Sequence, residues 1–416
     1  MISTSTSLIS TSAPPFAVDA DRWPDLAVIP RSRVRTAVAS RLFRMAVKGL
    51  PVRVELPGGR VLGTAQTPVM VVHRPREFFR RLGSGGLIGF GESYMAGDWD
   101  CADLTDLLSV LAANIADLVP PALQRMRKFA VRRHPAADQQ TRAGARVNIS
   151  RHYDLSNELF ALFLDETMTY SSAMFDDGNS TLADAQRHKI DRLLDLAGVG
   201  PGCRLLEIGT GWGELAIRAA RRGASVLTVT ISAQQHALAT QRVAEAGLAS
   251  QVRVELCDYR DITGQFDAIC SVEMIEAVGE RYWGTFFSAI DRLLAPGGRI
   301  GLQAITMPHD RMLATRHTYT WIQKYIFPGG LLPSVTAIQD SLAATTLRIT
   351  GRHDFGWHYA QTLAMWQDKF DANADEVARL GFDEVFRRMW TFYLCYCEAG
   401  FRSRYIDVTQ LTLGRI

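Results

Sequence analysis

Apolar and polar positions along this chain follow two different patterns. Between residues 51 and 73 the runs PVRVEL, RVLGTAQ and PVMVVH have the look of short, half-buried strands. DLTDLLSVLAANIADL (103–118) spaces its apolar residues as a helix does, and the glycines of GSGGLIGFGESYMAGDWD (83–100) predict a turn before it. Together these runs predict a small α+β unit of roughly a hundred residues, enough to hold a core. From Asn148 the pattern becomes strand–helix alternation. The apolar runs RLLEIGT (204–210), SVLTVTI (225–231), VRVELCD (252–258), FDAICSV (266–272) and RIGLQAI (299–305) are separated by helix-like stretches. Such spacing predicts an α/β fold, Rossmann-like, with a mostly parallel sheet covered by helices on both faces. Ligands of such sheets bind beyond the carboxyl ends of the strands.

At 416 residues the chain is long for one domain, and 47% hydrophobic against 21% charged residues suits a packed interior. The expected division is a loose Ser/Thr/Pro-rich tail at 1–25, the α+β unit at 26–120, a basic linker at 121–147 and a catalytic domain at 148–416. A net charge of +3 is too mild for a dedicated nucleic-acid binder, so no nucleic-acid partner is expected. Six cysteines without paired spacing suit a reducing compartment, and the first residues lack the basic start of a secretory signal. Arg31, Arg33, Arg35, Arg41, Arg44, Lys48 and Arg53 alternate with Val34, Leu42, Phe43, Met45 and Leu50. That stretch reads either as a solvated helix face or as a surface that lies on an anionic membrane. A second basic cluster, Arg125 to Arg133, sits in the linker.

The chemistry concentrates at LLEIGTGWGE (205–214), where Glu207 ends a strand and Gly209, Gly211 and Gly213 form the following turn. Glycine there lets backbone approach a ligand closely. The spacing departs from the dinucleotide GxGxxG pattern, the second strand ends without an acid at Thr230, and Glu214 would repel a pyrophosphate. S-adenosylmethionine, which has no phosphate, fits better than a nicotinamide cofactor. Asp258, closing the third strand, is a candidate adenine contact. GFGESY lacks the Lys-Ser/Thr of a phosphate loop, and no histidine spacing matches a metal site.

Five segments in order, RHYDLSNELFALFLDETMTYSSAMF (151–175), LEIGTGWGE, VTISAQQ, SVEMIEAVG and WIQKYIFPGGLLPS, resemble the cyclopropane-fatty-acyl-phospholipid synthases over residues 148–416. The GLIGFGESYMAG stretch and the DRWP lead are most similar to the actinobacterial tuberculostearic acid branch. The resemblance implies S-adenosylmethionine contacts at Tyr170 and Ser171, Gly209 and Gly211, Thr230, Ile231 and Gln235, and Tyr259 and Arg260. It further implies a bound bicarbonate that takes a proton, cradled by Glu276, Tyr359, the Ile305 backbone, and the positions held here by Ser172 and Gln303. Ser172 stands where the family has Cys and Gln303 where it has His; both donate hydrogen bonds, but neither titrates near neutrality.

An isolated cis alkene has no acidic proton, so the reaction must start by aligning it with the sulfonium methyl in a dry pocket. The carbocation that follows favours aromatic neighbours, for which Tyr153, Tyr170, Tyr325, Phe327 and Tyr359 are candidates. Slower proton loss from an altered cradle would allow a hydride shift and a methylene branch in place of a cyclopropane ring. The partners this implies are an unsaturated phospholipid in the membrane, a separate reductase that completes the methyl branch, and a second copy of the chain as a homodimer. The expected location is cytoplasmic, peripheral to the inner face of the cell membrane. Three other readings compete: a cyclopropane-fatty-acyl-phospholipid synthase that closes the ring, a methyltransferase for soluble hydroxyl or amine acceptors, and a lipid-binding protein without turnover.

Overall fold

The computed structural model describes residues 16–115, 135, 144, 156–176 and 181–415. They form two compact units, the first built from the residues up to 115 together with 381–399. Its sheet has the order β2-β1-β3-β4, with β1 at Arg53–Leu56, β2 at Arg60–Leu62, β3 at Val69–Val72 and β4 at Trp99–Cys101. Alternate residues of β1 and β3 (Val54, Leu56, Met70 and Val72) point into the core, as period-two strands require.

The glycine-rich stretch is not the turn the sequence predicts. It forms two helices, Pro75–Gly85 and Leu87–Met95, separated by Gly86 at φ +57°. Gly89 lets them cross, because a Cβ there would sit 1.9 Å from the Arg81 carbonyl oxygen. Residues 88–95 are all buried, so GFGESY is packing and offers no loop for phosphate. Asp98 is buried between Arg74 and Arg81, at 2.9 and 3.0 Å. Burial pushes its carboxyl up to about 6 although both arginines oppose this.

Two segments lie differently from the division expected of the sequence. The helix Glu384–Arg402 supplies Arg388, whose guanidinium donates to the Tyr94 and Trp99 carbonyls at 2.6 and 2.9 Å. Its neighbourhood therefore packs with the first unit although it comes from the far end of the chain. Trp23, inside the expected tail, donates its indole N–H to Asp383 at 2.7 Å. The linker cluster from Arg125 to Arg133 lies outside the described residues. The basic stretch forms the helix Arg33–Lys48, capped by Ser32. It buries Ala39 and Val47 and leaves Val34 and Val38 exposed among its arginines.

The second unit carries a seven-stranded sheet of order β10-β11-β9-β8-β5-β6-β7. The strands are β5 Arg204–Ile208, β6 Ser225–Thr230, β7 Val252–Leu256, β8 Phe266–Val272, β9 Leu294–Thr306, β10 Leu347–Asp354 and β11 Asp407–Arg415. β5 to β9 are parallel, and β11 runs antiparallel between β9 and β10. Successive residues feed opposite faces. Leu205 and Ala268 pack with Leu193 and Leu215 from one layer of helices, whereas Leu206 and Ile269 pack with Phe286 and Ile290 from the other. The expected sandwich of helices about a mostly parallel sheet is present. It brings the carboxyl ends of β5, β6 and β8 to one edge.

Candidate active site

The turn after β5 is built from backbone. Gly209, Gly211 and Gly213 take φ of +98°, +51° and +93°, which other residues adopt only at a cost of roughly 1–2 kcal/mol each. At Gly209 a Cβ would also meet Met274 Cγ at 2.5 Å. Gly213 opens the helix Glu214–Arg221, and Arg242 fastens it by donating to the Trp212 carbonyl and to Glu214 at 2.7 and 3.1 Å. Glu214 is thus charge-paired, and repulsion from it is not what disfavours a pyrophosphate.

At the end of β6, Thr230 donates its hydroxyl to Gln235 Oε1 at 2.9 Å and accepts from the Ser232 amide at 3.1 Å. Ser232 caps the helix Ala233–Glu245, and this places Gln235 in the buried wall. Beyond β7, Arg260 grips Asp258 through Nε and Nη2 at 2.8 and 2.5 Å. Its guanidinium lies over the Tyr259 and Tyr282 rings at 5.5 and 5.9 Å. Two cavities meet here and share Gly209, Ile231 and Met274. One is lined by Asp258, Tyr259 and Arg260, and the other by Tyr170, Ser171, Glu207, Gly211, Thr230, Gln235 and Glu273. Every residue named from sequence as a donor contact therefore lines one cavity or the other. Glu207 is buried with Oε2 unpartnered among the described residues. Burial pushes its carboxyl up to about 8, opposed by a hydrogen bond from Thr228 and by Lys189. The cavity thus offers a buried acceptor, a glycine turn of exposed backbone and a slot ended by a carboxylate. This donor and acceptor set fits S-adenosylmethionine.

The floor is made of side chains distant in sequence. Ser172 N and Gln303 Nε2 donate to Glu273 Oε1 at 3.0 and 2.8 Å, and the Tyr359 hydroxyl donates to Glu273 Oε2 at 2.7 Å. Gln410 holds the Gln303 carbonyl at 3.1 Å, and the Tyr359 ring stacks on Phe401 at 4.6 Å. Tyr170 stacks on Trp366 at 5.2 Å. Glu273 adopts φ +52° at the end of β8, a left-handed conformation that turns its side chain inward and that is held only where the surroundings determine it. Burial pushes its carboxyl up, opposed by the nearby Lys189 cation and by the three donors. Lys189 itself is fully buried and donates to Ser171 Oγ at 2.6 Å; burial pulls it down to about 8.

The structure brings together Ser172, Gln303 and Tyr359, but the carboxylate they surround is Glu273. Glu276 stands apart from them. Its Oε1 accepts from the Ile305 amide at 2.5 Å, and its Oε2 is buried without a partner among the described residues. Burial, with the charge of Glu273 adding to it, pushes Glu276 up to about 8, so near neutrality it holds its proton. The expected bicarbonate cradle does not fit. Ser172 N, Gln303 and Tyr359 are committed to Glu273, Ile305 N to Glu276, and the Ser172 hydroxyl to the Ala173 carbonyl at 2.9 Å. Of the aromatic candidates, Tyr170 lines a cavity, Tyr325, Phe327 and Tyr359 line neither, and Tyr153 lies outside the described residues. Sequence reasoning missed Glu273 and Lys189. The available signals were an acid directly after a central apolar strand and a lysine on the apolar face of 185–194.

A glycine turn after the first strand of a parallel sheet whose last strand is reversed defines the methyltransferase type of Rossmann-like fold. The family model described as mycolic acid cyclopropane synthetase matches residues 140–411, and the chain belongs to that family. Tuberculostearic acid methyltransferase UfaA1 of Mycobacterium tuberculosis is 54% identical over 419 residues, covering 98% of each chain. The cyclopropane-fatty-acyl-phospholipid synthase of Escherichia coli is 37% identical over 360 residues, 86% of this chain and 90% of its own. Among solved structures, mycolic acid cyclopropane synthase CmaA1 complexed with SAH and CTAB is similar at 35% identity and TM-score 0.60, over 64% of this chain and 97% of that one. By family and fold the chain is a methyltransferase.

Proposed function

We propose that this protein transfers the methyl group of S-adenosylmethionine to the cis double bond of an unsaturated fatty acyl chain in a phospholipid, giving a methylene branch of the tuberculostearic type. The observation that carries this reading is the 54% identity with a tuberculostearic acid methyltransferase along essentially the whole chain, site included. The donor supplies an electrophilic methyl on sulfur. The chain holds that donor between the glycine turn and Gln235, excludes water with Tyr170, Trp366 and Phe401, and keeps a carboxylate at the floor. The methylene product requires a hydride shift before proton loss, and a separate reductase then saturates it.

The acceptor reaches the site from a membrane surface. No helix among the described residues is long and apolar enough to cross a membrane. Instead, Arg33, Arg35, Arg41, Arg44 and Lys48 are exposed on one helix beside Val34 and Val38. Each cation contributes roughly 1 kcal/mol at an anionic surface. The triple change Arg33→Gln, Arg41→Gln, Arg44→Gln should weaken binding to anionic vesicles by on the order of 100-fold at low salt. Donor affinity should stay unchanged.

The deciding experiment supplies labelled methyl donor and oleoyl phospholipid vesicles, then locates the added carbon by ozonolysis and mass spectrometry. A methylene branch is expected. A purely cyclopropane product would favour the activity for which the Escherichia coli relative is named, and zero incorporation would favour a lipid-binding protein. Label on soluble amines or alcohols alone would reassign the acceptor. Sedimentation of the pure protein tests the expected homodimer.

A further inference from the structure

We propose that the Glu273 carboxylate is itself the catalytic base of this site, taking the proton lost from the acyl chain and occupying the place of an exogenous oxyanion. The proposal rests on the methyl-transfer reading above and adds to it the identity of the proton acceptor.

Three donors converge on the two oxygens of Glu273: Ser172 N and Gln303 Nε2 on Oε1, and the Tyr359 hydroxyl on Oε2. They come from three separate stretches of chain and hold the O–C–O plane as they would hold that of any small oxyanion. A carboxylate has about four lone-pair sites, so the set leaves one open on Oε2 for a proton. Nothing remains for a second anion, since the Ile305 amide serves Glu276 and the Ser172 hydroxyl serves Ala173. An added anion would also lie against the charge of Glu273. The charged and titratable neighbours are few: Lys189 as cation, Tyr359 as donor and Glu276 as an acid held protonated near neutrality. Glu273 lines the donor cavity, which puts its carboxylate within the site where the methyl is transferred. A desolvated carboxylate is also a stronger base than one in water.

The step balances without a further reagent. The sulfonium C–S bond breaks with its electron pair staying on sulfur, and the alkene π pair forms the new C–C bond to the methyl. The neighbouring carbon is left as a cation. For the methylene product a hydride then moves with its pair from the methyl-bearing carbon to that cation, which leaves the methyl-bearing carbon cationic. A methyl C–H bond breaks, its pair becoming the methylene C=C bond (or, without the shift, the ring C–C bond), and its proton bonds to Glu273 Oε2. The proton returns to solvent after product leaves.

The test uses the full chain, labelled methyl donor and anionic oleoyl vesicles, in buffer stripped of carbon dioxide and with bicarbonate restored. The wild type should change less than about twofold between the two buffers. Glu273→Gln keeps the hydrogen-bonding shape and should lose at least about 100-fold in kcat, with affinity for S-adenosylhomocysteine held within about threefold. Glu273→Gly vacates the cradle and relieves the left-handed backbone. It should gain activity from added bicarbonate or formate and should bind carbon-13 bicarbonate by NMR where the wild type does not. Wild-type activity that falls tenfold without bicarbonate, or Glu273→Gln at the wild-type rate, would overturn the proposal. So would bicarbonate bound by the wild type, whatever its activity. Absence of label in any lipid from the wild type would instead overturn the methyl-transfer reading, and the binding arm would still decide whether Glu273 excludes the anion.

Discussion

The rim and the floor of the same cavity are made in opposite ways. The rim is five consecutive residues whose backbone does the work, with side chains removed at Gly209, Gly211 and Gly213. The floor presents Lys189 and Glu273 to the cavity and gathers Ser172, Gln303 and Tyr359 behind Glu273 from across the unit, held by hydrogen bonds between them. A rim of this kind accepts and releases a donor without rearranging side chains. The floor acts on whatever is brought to it, because the donors around Glu273 are fixed in advance. Damage to the rim should therefore appear in binding, and damage to the floor in rate and pH dependence.

The largest effect expected is at the rim. Gly209→Ala forces a side chain onto a residue at φ +98° and into Met274 at 2.5 Å. Donor affinity measured by calorimetry should fall at least about 100-fold, consistent with 1–2 kcal/mol of backbone strain plus the clash. A variant that binds normally but turns over slowly would erase the division between rim and floor.

That division also explains what the sequence made legible. The glycine turn, the strand that precedes it and the candidate contact at Asp258 are local, so spacing alone pointed to them, whereas Thr230 came from the resemblance. Gln235 needed the resemblance, because an exposed-looking helix residue gives no local sign that Ser232 and Thr230 will draw it inward. In SVEMIEAVG two acids stand three residues apart, and which one enters the floor depends on a left-handed turn at Glu273 that no pattern of residue types specifies. The glycines at 83–91 misled for a related reason, since Gly89 serves a helix crossing. β10 and β11 passed unread because RITGRHD is polar and mostly outward-facing, and its partner strand lies some sixty residues away.

A smaller effect is expected at Lys189. Its cation opposes protonation of Glu273, so Lys189→Met should raise the Glu273 pKa further. A base must be unprotonated to act, and the acid limb of the kcat/KM profile should move to higher pH by about one unit or more. The loss should deepen as pH falls and be partly recovered in alkaline buffer. A uniform loss across pH would reduce Lys189 to a packing role.

The smallest effect on rate, and the sharpest contrast between the two neighbouring acids, is expected at Glu276. With its carboxyl pushed up to about 8, it is neutral at pH 7, and Glu276→Gln removes no charge there. Turnover at pH 7 should change less than about threefold, against a loss of at least about 100-fold for the same substitution at Glu273. Stability supplies the second readout. The folded state keeps the Glu276 proton up to about pH 8, whereas the unfolded chain releases it near its ordinary value of 4.5. Between those limits the unfolded state binds fewer protons, so the Glu276 contribution is fully present below about pH 4.5 and is lost as pH rises to 8. The slope is at most about 1.4 kcal/mol per pH unit. Glu276→Gln should remove this slope, so its melting temperature should gain on that of the wild type steadily from pH 5 to pH 8. Glu207, also raised to about 8, leaves a similar slope in both proteins and cancels in the difference. A melting difference independent of pH would mean that Glu276 is ionised in the folded protein, and the protonated-acid and base pairing of Glu276 with Glu273 would fall with it.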